Sequence, residues 1–399
     1  MMGEKGPLSG IRVVELATAL AAPGAARIMA DQGADVIKVE APGIGDVLRF
    51  IGPMRNGVTA IHQNVNRGKR SIAIDLKSAR GVEVVKKLAA GADVFMHNFR
   101  PGVAERLGIG FDEMCGGNEN LIYVSVTGFG HKGPYAGKPA WDNVMQAFSG
   151  VAQSQADPET GEPTQFYQIF VDKLTAVTAS QAITAALFAR ERGAGGQHIQ
   201  LAMVDSVVAF LWPDVGAEAT FQEKEGVELG TPLTRPAKPV RFTNGWAQVA
   251  PLYDKEFFGL FRAFGVDVGD DSRLATIAGR MQNPEVVEAA FGKITAMALG
   301  MEVETAIARL EAEDVPCARV MALADLPQHP QMVASGTFIH TKHPVAGNLC
   351  EPRDPARFSK TPSMVGAAAP TLGQHTDEIL REIGLASEVA SLRTGKIVS

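Results

Sequence analysis

The sequence contains few cysteines, and their placement suggests no structural use. Only Cys115, Cys317 and Cys350 occur among 399 residues. An odd number without paired spacing predicts no disulfide framework. None of the three stands near a histidine at the spacing of a zinc site, so the residues predict no bound metal.

Long apolar runs and excess positive charge are also absent. No run reaches the roughly 18 apolar residues that span a membrane, and the first ten residues, MMGEKGPLSG, lack the regions of a signal peptide. The net charge of −6, from 38 basic and 44 acidic residues, argues against nucleic-acid binding and against a basic membrane-binding surface. We therefore expect a cytoplasmic protein of enzyme size.

Several motifs of cofactor-binding and hydrolytic enzymes are missing. The turn after the first predicted strand, ELATALAAPG, lacks the GxGxxG spacing that NAD- and FAD-binding folds show. No Walker lysine loop occurs. No serine lies in a GxSxG elbow, which disfavours a serine hydrolase.

The order of predicted elements nevertheless indicates an α/β fold. Residues 11–16 (IRVVEL) and 34–40 (ADVIKVE) are predicted strands on either side of a helix of small residues. Further strands are predicted at 71–76, 92–99 and 121–130. Strands that alternate with helices form a parallel sheet, so we expect an open sheet of the nucleotide-binding type.

Composition divides the chain into a large and a small domain. We assign 1–220 to the large domain, and predict a linker at 221–238, where prolines and charges cluster. A small domain at 239–335 starts with a hairpin signal at Asn244-Gly245. Residues 336–399 are predicted to return to the large domain and to complete it.

Asp172 has two possible roles. It precedes the longest predicted helix, residues 173–192, which Gly193 ends. Aspartate is a preferred N-cap, so one interpretation is a cap that accepts the first free amides. The other is a nucleophile, because a helix dipole keeps a carboxylate ionised and an ionised carboxylate can attack an activated acyl group. The two roles are compatible.

Basic residues flank two of the predicted strands. Residues 66–70 (NRGKR) and 97–100 (HNFR) are adjacent to strands, with Arg106 close behind. Such groups could converge on phosphates, with Phe99 against an aromatic base, or they could be solvated charges at strand ends. His131, in a glycine-rich turn, is either a base or a surface histidine.

Six segments in chain order resemble those of class III CoA-transferases. This family includes formyl-CoA and carnitine CoA-transferases and the α-methylacyl-CoA racemases. The resemblance implies a Rossmann-like large domain built from both chain ends, a smaller α+β domain, and an interlocked homodimer. The segments are LSGIRVVELATALAAPGAARIMADQGADVIKVEAPGIGD, NRGKRSIAIDLKSARG, ADVFMHNFRPGVAERLGIG, LIYVSVTGFGHKGPY, DKLTAVTASQAITAALFARERGAGGQHIQLAMVDS and TLGQHTDEILREIGL.

The resemblance also implies a set of site residues. Asp172 stands where the family has its nucleophilic aspartate. Coenzyme A or an acyl-CoA is then a substrate, with neither a permanently bound cofactor nor a metal. The implied CoA contacts are Leu20, Ala21, Ala41, Asn66, Arg67, Gly68, Lys69, Asn98, Phe99, Arg100, Arg106, Pro139, Ala140, Trp141 and Asp142.

Some positions depart from the pattern of the family. Trp141 replaces the histidine of the racemases, which disfavours racemisation. Leu20 replaces a glutamine of the formyl-CoA branch, and residues 227–239 lack that branch's glycine run, which disfavours formate and oxalate. Ala41 stands where an arginine stacks on the adenine base.

The expected reaction is transfer of CoA from an acyl-CoA to a free carboxylic acid. It would proceed through an aspartyl anhydride and an aspartyl-CoA thioester at Asp172. The alternatives are an acyl-CoA racemase or epimerase that acts by α-proton exchange, and a protein that binds acyl-CoA without catalysis. The sequence does not identify the acids.

Overall fold

The computed structural model describes residues 6–223, 225–228 and 238–399. Residues 224 and 229–237 of the predicted linker 221–238 therefore lie outside the described residues. The chain divides into two compact units. The first contains the residues up to Gly216 together with Ser335–Ser399, and the second contains Ala217–Ala334.

Strands and helices alternate through the first half of the chain. The described strands are β1 Arg12–Leu16, β2 Asp35–Glu40, β3 Met54–Arg55, β4 Val58–Thr59, β5 Lys69–Ala73, β6 Val94–His97, β7 Ile122–Thr127, β8 Gln197–Ala202, β9 Val240–Phe242, β10 Gly245–Val249, β11 Cys317–Arg319, β12 Phe338–His343 and β13 Gly347–Pro352. The described helices are α1 Ala21–Asp31, α2 Ala60–Asn66, α3 Ala79–Ala90, α4 Val103–Arg106, α5 Phe111–Cys115, α6 Asp142–Phe148, α7 Val151–Ser154, α8 Val171–Ala189, α9 Met203–Leu211, α10 Asp254–Phe264, α11 Ile277–Gln282, α12 Pro284–Ala298, α13 Val303–Ala312, α14 Pro330–Ala334, α15 Thr376–Glu382 and α16 Val389–Thr394.

The first unit is organised around a six-stranded sheet. Its strand order is β5-β2-β1-β6-β7-β8, and all neighbouring strands are parallel. The predicted parallel sheet is thus confirmed. The strand order reverses between β1 and β6, and in open α/β sheets this switch point opens a crevice at the carboxyl ends of the strands.

Both faces of this sheet are buried. Successive residues of a strand point to opposite faces. Accordingly, Val13 packs with α1 and α8, while Val14 packs with α3 and α15. Helices α1 and α8 approach closely, because a Cβ placed on Gly24 would lie only 2.9 Å from the Cβ of Ala176. The small residues at the start of α8 therefore allow α1 to pack closely against it.

Charged side chains are buried below the crevice. The Lys38 ammonium lies 2.8 Å from Glu15 and 2.9 Å from Asp46, and the Lys69 ammonium lies 2.7 Å from Glu15. Burial alone would lower the pKa of Lys38, but the carboxylates of Glu15, Asp46 and Glu40 raise it above its usual value. This buried cluster connects β1, β2, β5 and the loop after β2.

The second unit is built on a small antiparallel sheet. Its strand order is β11-β10-β9, and the predicted hairpin is confirmed by the pairing of Phe242 with Gly245. Helices α10, α12 and α13 supply the apolar core that covers the sheet, including Phe257, Leu260, Ile294 and Leu310.

Candidate active site

A polar cavity opens where the carboxyl ends of β1, β6 and β7 meet. Its volume is about 270 Å³. Thr18 follows β1, Asn98 follows β6, and Thr127 ends β7, so each side chain reaches the cavity because parallel strands end at the same edge. Arg100 and Lys138 give this lining its positive charge.

The loop after β1 is held in an unusual conformation. Ala19 has φ of 64°, a left-handed region that non-glycine residues rarely adopt. Its amide donates to Asp46 at 3.1 Å. Thr18 and Asn98 exchange two hydrogen bonds, at 3.1 and 2.8 Å, across the switch point. The buried charge cluster and Asn98 together fix this wall of the cavity.

Asp172 lies in the first turn of α8 and is not its cap. The helix begins at Val171, and Phe170 occupies the N-cap position without a side-chain bond. The interpretation of Asp172 as a helix cap is therefore wrong. Phe170 already has right-handed helical angles, so the helix starts earlier than the preference of aspartate for caps predicts.

Burial and a second carboxylate control the charge of Asp172. Only 9% of Asp172 is exposed, and its amide donates to Asp142 Oδ1 at 3.0 Å. Burial, with a further contribution from Asp142, raises the pKa of Asp172 to about 7. The expectation that the helix dipole keeps this group ionised is thus corrected, because loss of water and a like charge outweigh the dipole.

A second, apolar cavity meets the polar one at Asp172. Its volume is about 480 Å³, and it shares Ala19, Trp141 and Asp172 with the polar cavity. We call the two the polar cavity and the apolar cavity. The apolar side chains of the second are mainly Leu20, Val47, Ile51, Ile61, Phe166 and Ile169.

Comparison with known proteins identifies the family of this chain. The sequence pattern of CoA-transferase family III matches residues 8–376. The chain belongs to this family. It is 32% identical over 393 residues to the succinate–glutarate CoA-transferase of Agrobacterium fabrum, covering 96% of this chain and 97% of that protein. It is also 32% identical to the mouse succinyl-CoA:glutarate CoA-transferase, covering 94% and 86%.

A solved structure agrees with this assignment. The crystal structure of a CAIB/BAIF family protein from Brucella suis superposes with a TM-score of 0.82 at 31% identity. The superposition covers 95% of this chain and 100% of the Brucella chain. The enzyme is therefore a CoA-transferase.

Most of the positions implied by the resemblance lie at the two cavities of this CoA-transferase. Leu20 and Asp142 line the apolar cavity, and Trp141 lines both. Phe99 stacks on His97, with 5.2 Å between the ring centroids. The implied residues that line the polar cavity are Ala21, Asn98, Phe99, Arg100, Pro139, Ala140 and Trp141.

The segment from Asn66 to Lys69 is not brought to either cavity. Lys69 begins β5, so this segment lies at the amino end of its strand, away from the carboxyl edge. Arg67 donates to Asp31 at 2.8 Å and lies 3.5 Å from Glu351, and Asn66 accepts from Lys69 at 2.9 Å. These side chains are buried in internal contacts, so Lys69 is not a solvated charge at a strand end. The CoA contacts implied for this segment stay a prediction.

Gly68 of this segment has internal contacts as well, and two further implied positions, Ala41 and Arg106, also lie outside the cavity linings. Gly68 packs against Gly366, with its amide donating to Ala367 at 2.7 Å. Ala41 is exposed in the loop after β2, and Arg106 is exposed at the end of α4. The Arg106 guanidinium nevertheless lies near the segment after β6, since a Cβ on Gly102 would be 3.4 Å from it.

The structure adds residues that sequence reasoning missed. Thr127 is 6% exposed, and its hydroxyl has no hydrogen-bond partner among the described residues. Lys138 lines the same cavity from the turn after β7. The position of Thr127 at the carboxyl end of a predicted strand was a signal that could have identified it.

His131 does not lie among the cavity residues. Its Nε2 is 2.9 Å from Ser125 Oγ, which is also 2.8 Å from His198 Nε2. Burial lowers the pKa of His131. The residue is thus part of an internal hydrogen-bonded cluster, neither a solvated surface histidine nor a base at the cavity.

The described part of the chain offers neither a cluster of metal ligands nor a membrane-spanning helix. Within those ranges, no group of three or more histidine, cysteine, aspartate or glutamate side chains could hold a metal ion. Across the same residues, no helix combines the length and the apolar character that crossing a bilayer requires.

Proposed function

We propose that this CoA-transferase moves CoA from an acyl-CoA donor to a free carboxylic acid through covalent intermediates on Asp172. The supporting observation is the position of one buried carboxylate at the junction of two cavities. A nucleophile there can meet a thioester whose CoA and acyl parts extend in different directions. Because its pKa is about 7, the carboxylate is a stronger base and nucleophile than an ordinary aspartate once it is ionised.

The first half of the cycle charges the enzyme. The Asp172 carboxylate attacks the thioester carbonyl carbon of the donor, the carbon–sulfur bond breaks, and a mixed anhydride forms with release of CoA thiolate. The thiolate then attacks the Asp172 carbonyl carbon of the anhydride. This step releases the donor acid as a carboxylate and leaves an aspartyl-CoA thioester.

The second half repeats these steps with the acceptor. Its carboxylate attacks the aspartyl thioester carbonyl, which forms a new anhydride and again frees the thiolate. The thiolate attacks the acyl carbon of the acceptor, producing the new acyl-CoA and restoring the Asp172 carboxylate. No net proton or electron is gained or lost in the complete exchange.

Hydrogen-bond donors must stabilise the oxyanion that forms in each step. The Asp172 amide donates to Asp142 and is not available for this purpose. The Thr127 hydroxyl lines the same cavity without a partner among the described residues. We assign it this role, together with amides of the glycine-rich turn that begins at Gly128.

The polar cavity is the proposed site of the CoA moiety. Arg100 and Lys138 line it, and cationic side chains are the usual partners of phosphate groups. Both side chains are exposed, so they can change conformation to contact a charged and flexible ligand.

Arg100→Gln tests this assignment. We expect KM for the acyl-CoA to rise about tenfold with kcat nearly unchanged, because an exposed phosphate contact holds substrate and transition state equally. Lys132→Gln is the matched control, since Lys132 is exposed in the turn after β7 but does not line the cavity. An unchanged KM in Arg100→Gln, or the same increase in both variants, would contradict the assignment.

The reaction itself is tested by an exchange assay in deuterated water. Purified enzyme is mixed with unlabelled acyl-CoA and ¹³C-labelled carboxylic acids. The acyl-CoA products are separated, and their masses are measured by mass spectrometry. We expect ¹³C acyl groups to appear on CoA without deuterium at the α-carbon. Deuterium uptake without acyl exchange would instead indicate a racemase or epimerase, and neither change would indicate a protein that only binds acyl-CoA.

A further inference from the structure

We propose that the apolar cavity selects the acyl group, and that the acids of this enzyme are monocarboxylates with apolar chains. This inference rests on the proposed role of Asp172. It separates the enzyme from relatives whose names specify succinate and glutarate, which carry a second carboxylate.

The position of the cavity identifies its occupant. The reacting carbonyl carbon must lie against Asp172, which lines both cavities. If CoA occupies the cavity that contains Arg100 and Lys138, the acyl chain extends from that carbon into the other. A volume of about 480 Å³ is within the range of pockets that enclose small molecules.

The wall of this cavity suits an uncharged chain. Ten of its sixteen lining residues are aliphatic or aromatic, and none of the described lining residues is a lysine, arginine or histidine. Lys173 donates to the side chain of Gln168, but it is exposed and does not line the cavity. A second carboxylate would therefore lie against apolar side chains without gaining a cationic partner.

Two amide side chains of the wall already have hydrogen-bond partners, and its carboxyl groups carry the wrong charge for an anionic ligand. The Gln146 amide donates to Asp142 at 2.7 Å and accepts from the Phe166 amide at 2.9 Å. The Gln165 amide donates to the Asn143 carbonyl at 3.0 Å. Asp142 and Asp172 place two carboxyl groups at the end where the acyl chain enters, so a dicarboxylate would also meet like charge.

The test compares acids of equal length in pairs. Butyrate is measured against succinate, and hexanoate against adipate, with hexanoyl-CoA and succinyl-CoA each used as donor. We expect kcat/KM to favour the monocarboxylate at least about tenfold in both pairs. We also expect it to rise about fourfold for each methylene from propionate to hexanoate, which is the change that burial of one methylene gives.

A charge placed on the wall provides a second, independent readout. Ile51 is half exposed on this wall, so Ile51→Arg can add a cation without filling the core. The monocarboxylate preference is expected to fall at least about tenfold in this variant, because the guanidinium can pair with the distal carboxylate. Phe50→Arg is the matched control, since Phe50 is exposed next to Ile51 and does not line the cavity. This control should keep the wild-type preference.

The outcomes separate this inference from the proposed function. Equal or better transfer to dicarboxylates by the wild-type enzyme would overturn the inference while supporting CoA transfer through Asp172. An identical change in preference in Ile51→Arg and Phe50→Arg would also overturn it. Transfer to no acid of either series would overturn the proposed function, and the inference with it.

Discussion

Asp172→Ala is expected to abolish CoA transfer, with a loss of at least about 10⁴-fold in kcat. Without the Asp172 carboxylate neither the anhydride nor the aspartyl thioester can form. The acceptor carboxylate would then have to attack the donor acyl-CoA directly, without covalent catalysis by the enzyme. Within the described residues the Asp172 side chain makes no hydrogen bond of its own, and alanine is the best helix former. The variant should therefore keep its fold, which circular dichroism and thermal melting would check.

Asp205→Ala is the matched control for this substitution. Asp205 also lies in the first turn of a helix, α9, but it is exposed and lines neither cavity. The control should transfer CoA at the wild-type rate. If Asp172→Ala retained more than about a hundredth of the activity of this control, a nucleophilic role for Asp172 would be wrong.

The rate of CoA transfer is expected to depend on pH through Asp172. Because burial and Asp142 raise its pKa to about 7, kcat should rise about tenfold per pH unit below that value and level off above it. Asp142→Asn should move this limb to lower pH, because it removes the like charge and keeps an oxygen that can accept from the Asp172 amide. Asp205→Asn, measured over the same pH range, should leave the limb in place.

The same shift has a consequence for stability. The folded protein binds a proton at Asp172 more tightly than the unfolded chain, whose pKa is near 3.8. The free energy of unfolding should therefore lose this contribution as pH rises from about 4 to about 7, by at most roughly 4 kcal/mol. Asp172→Ala should accordingly melt at a higher temperature than wild type at pH 8 and lose this advantage at pH 4. A wild-type advantage at pH 8 would contradict the raised pKa.

Local patterns were sufficient to predict the sheet and its crevice. Alternating strands and helices predict a parallel sheet, and the residues after β1 and β6 then have to share an edge. That reasoning assigns Asn98 and Arg100 to the carboxyl edge of the sheet, where both line the polar cavity together with Asp172. The interlocked homodimer implied by the resemblance stays a prediction.

The sequence could not show contacts between residues that are far apart along the chain. Burial raises the pKa of Asp172, and the Asp142 carboxylate raises it further. Asp142 lies 30 residues earlier in the chain and becomes a neighbour of Asp172 only when α6 packs against α8. The basic segment beginning at Asn66 looked available for phosphates, yet its partners Asp31 and Glu351 come from distant parts of the chain. The apolar cavity combines residues from four separate segments, 19–20, 47–61, 141–146 and 165–172, and no single segment indicates it.

The covalent intermediate on Asp172 can be trapped with hydroxylamine. Wild-type enzyme is incubated with acyl-CoA and hydroxylamine, digested, and the modified residue is located by mass spectrometry. We expect a hydroxamate on Asp172 that requires acyl-CoA and is absent from Asp172→Ala. Modification at another residue, or continued CoA transfer with Asp172 unmodified and the enzyme insensitive to hydroxylamine, would contradict this expectation.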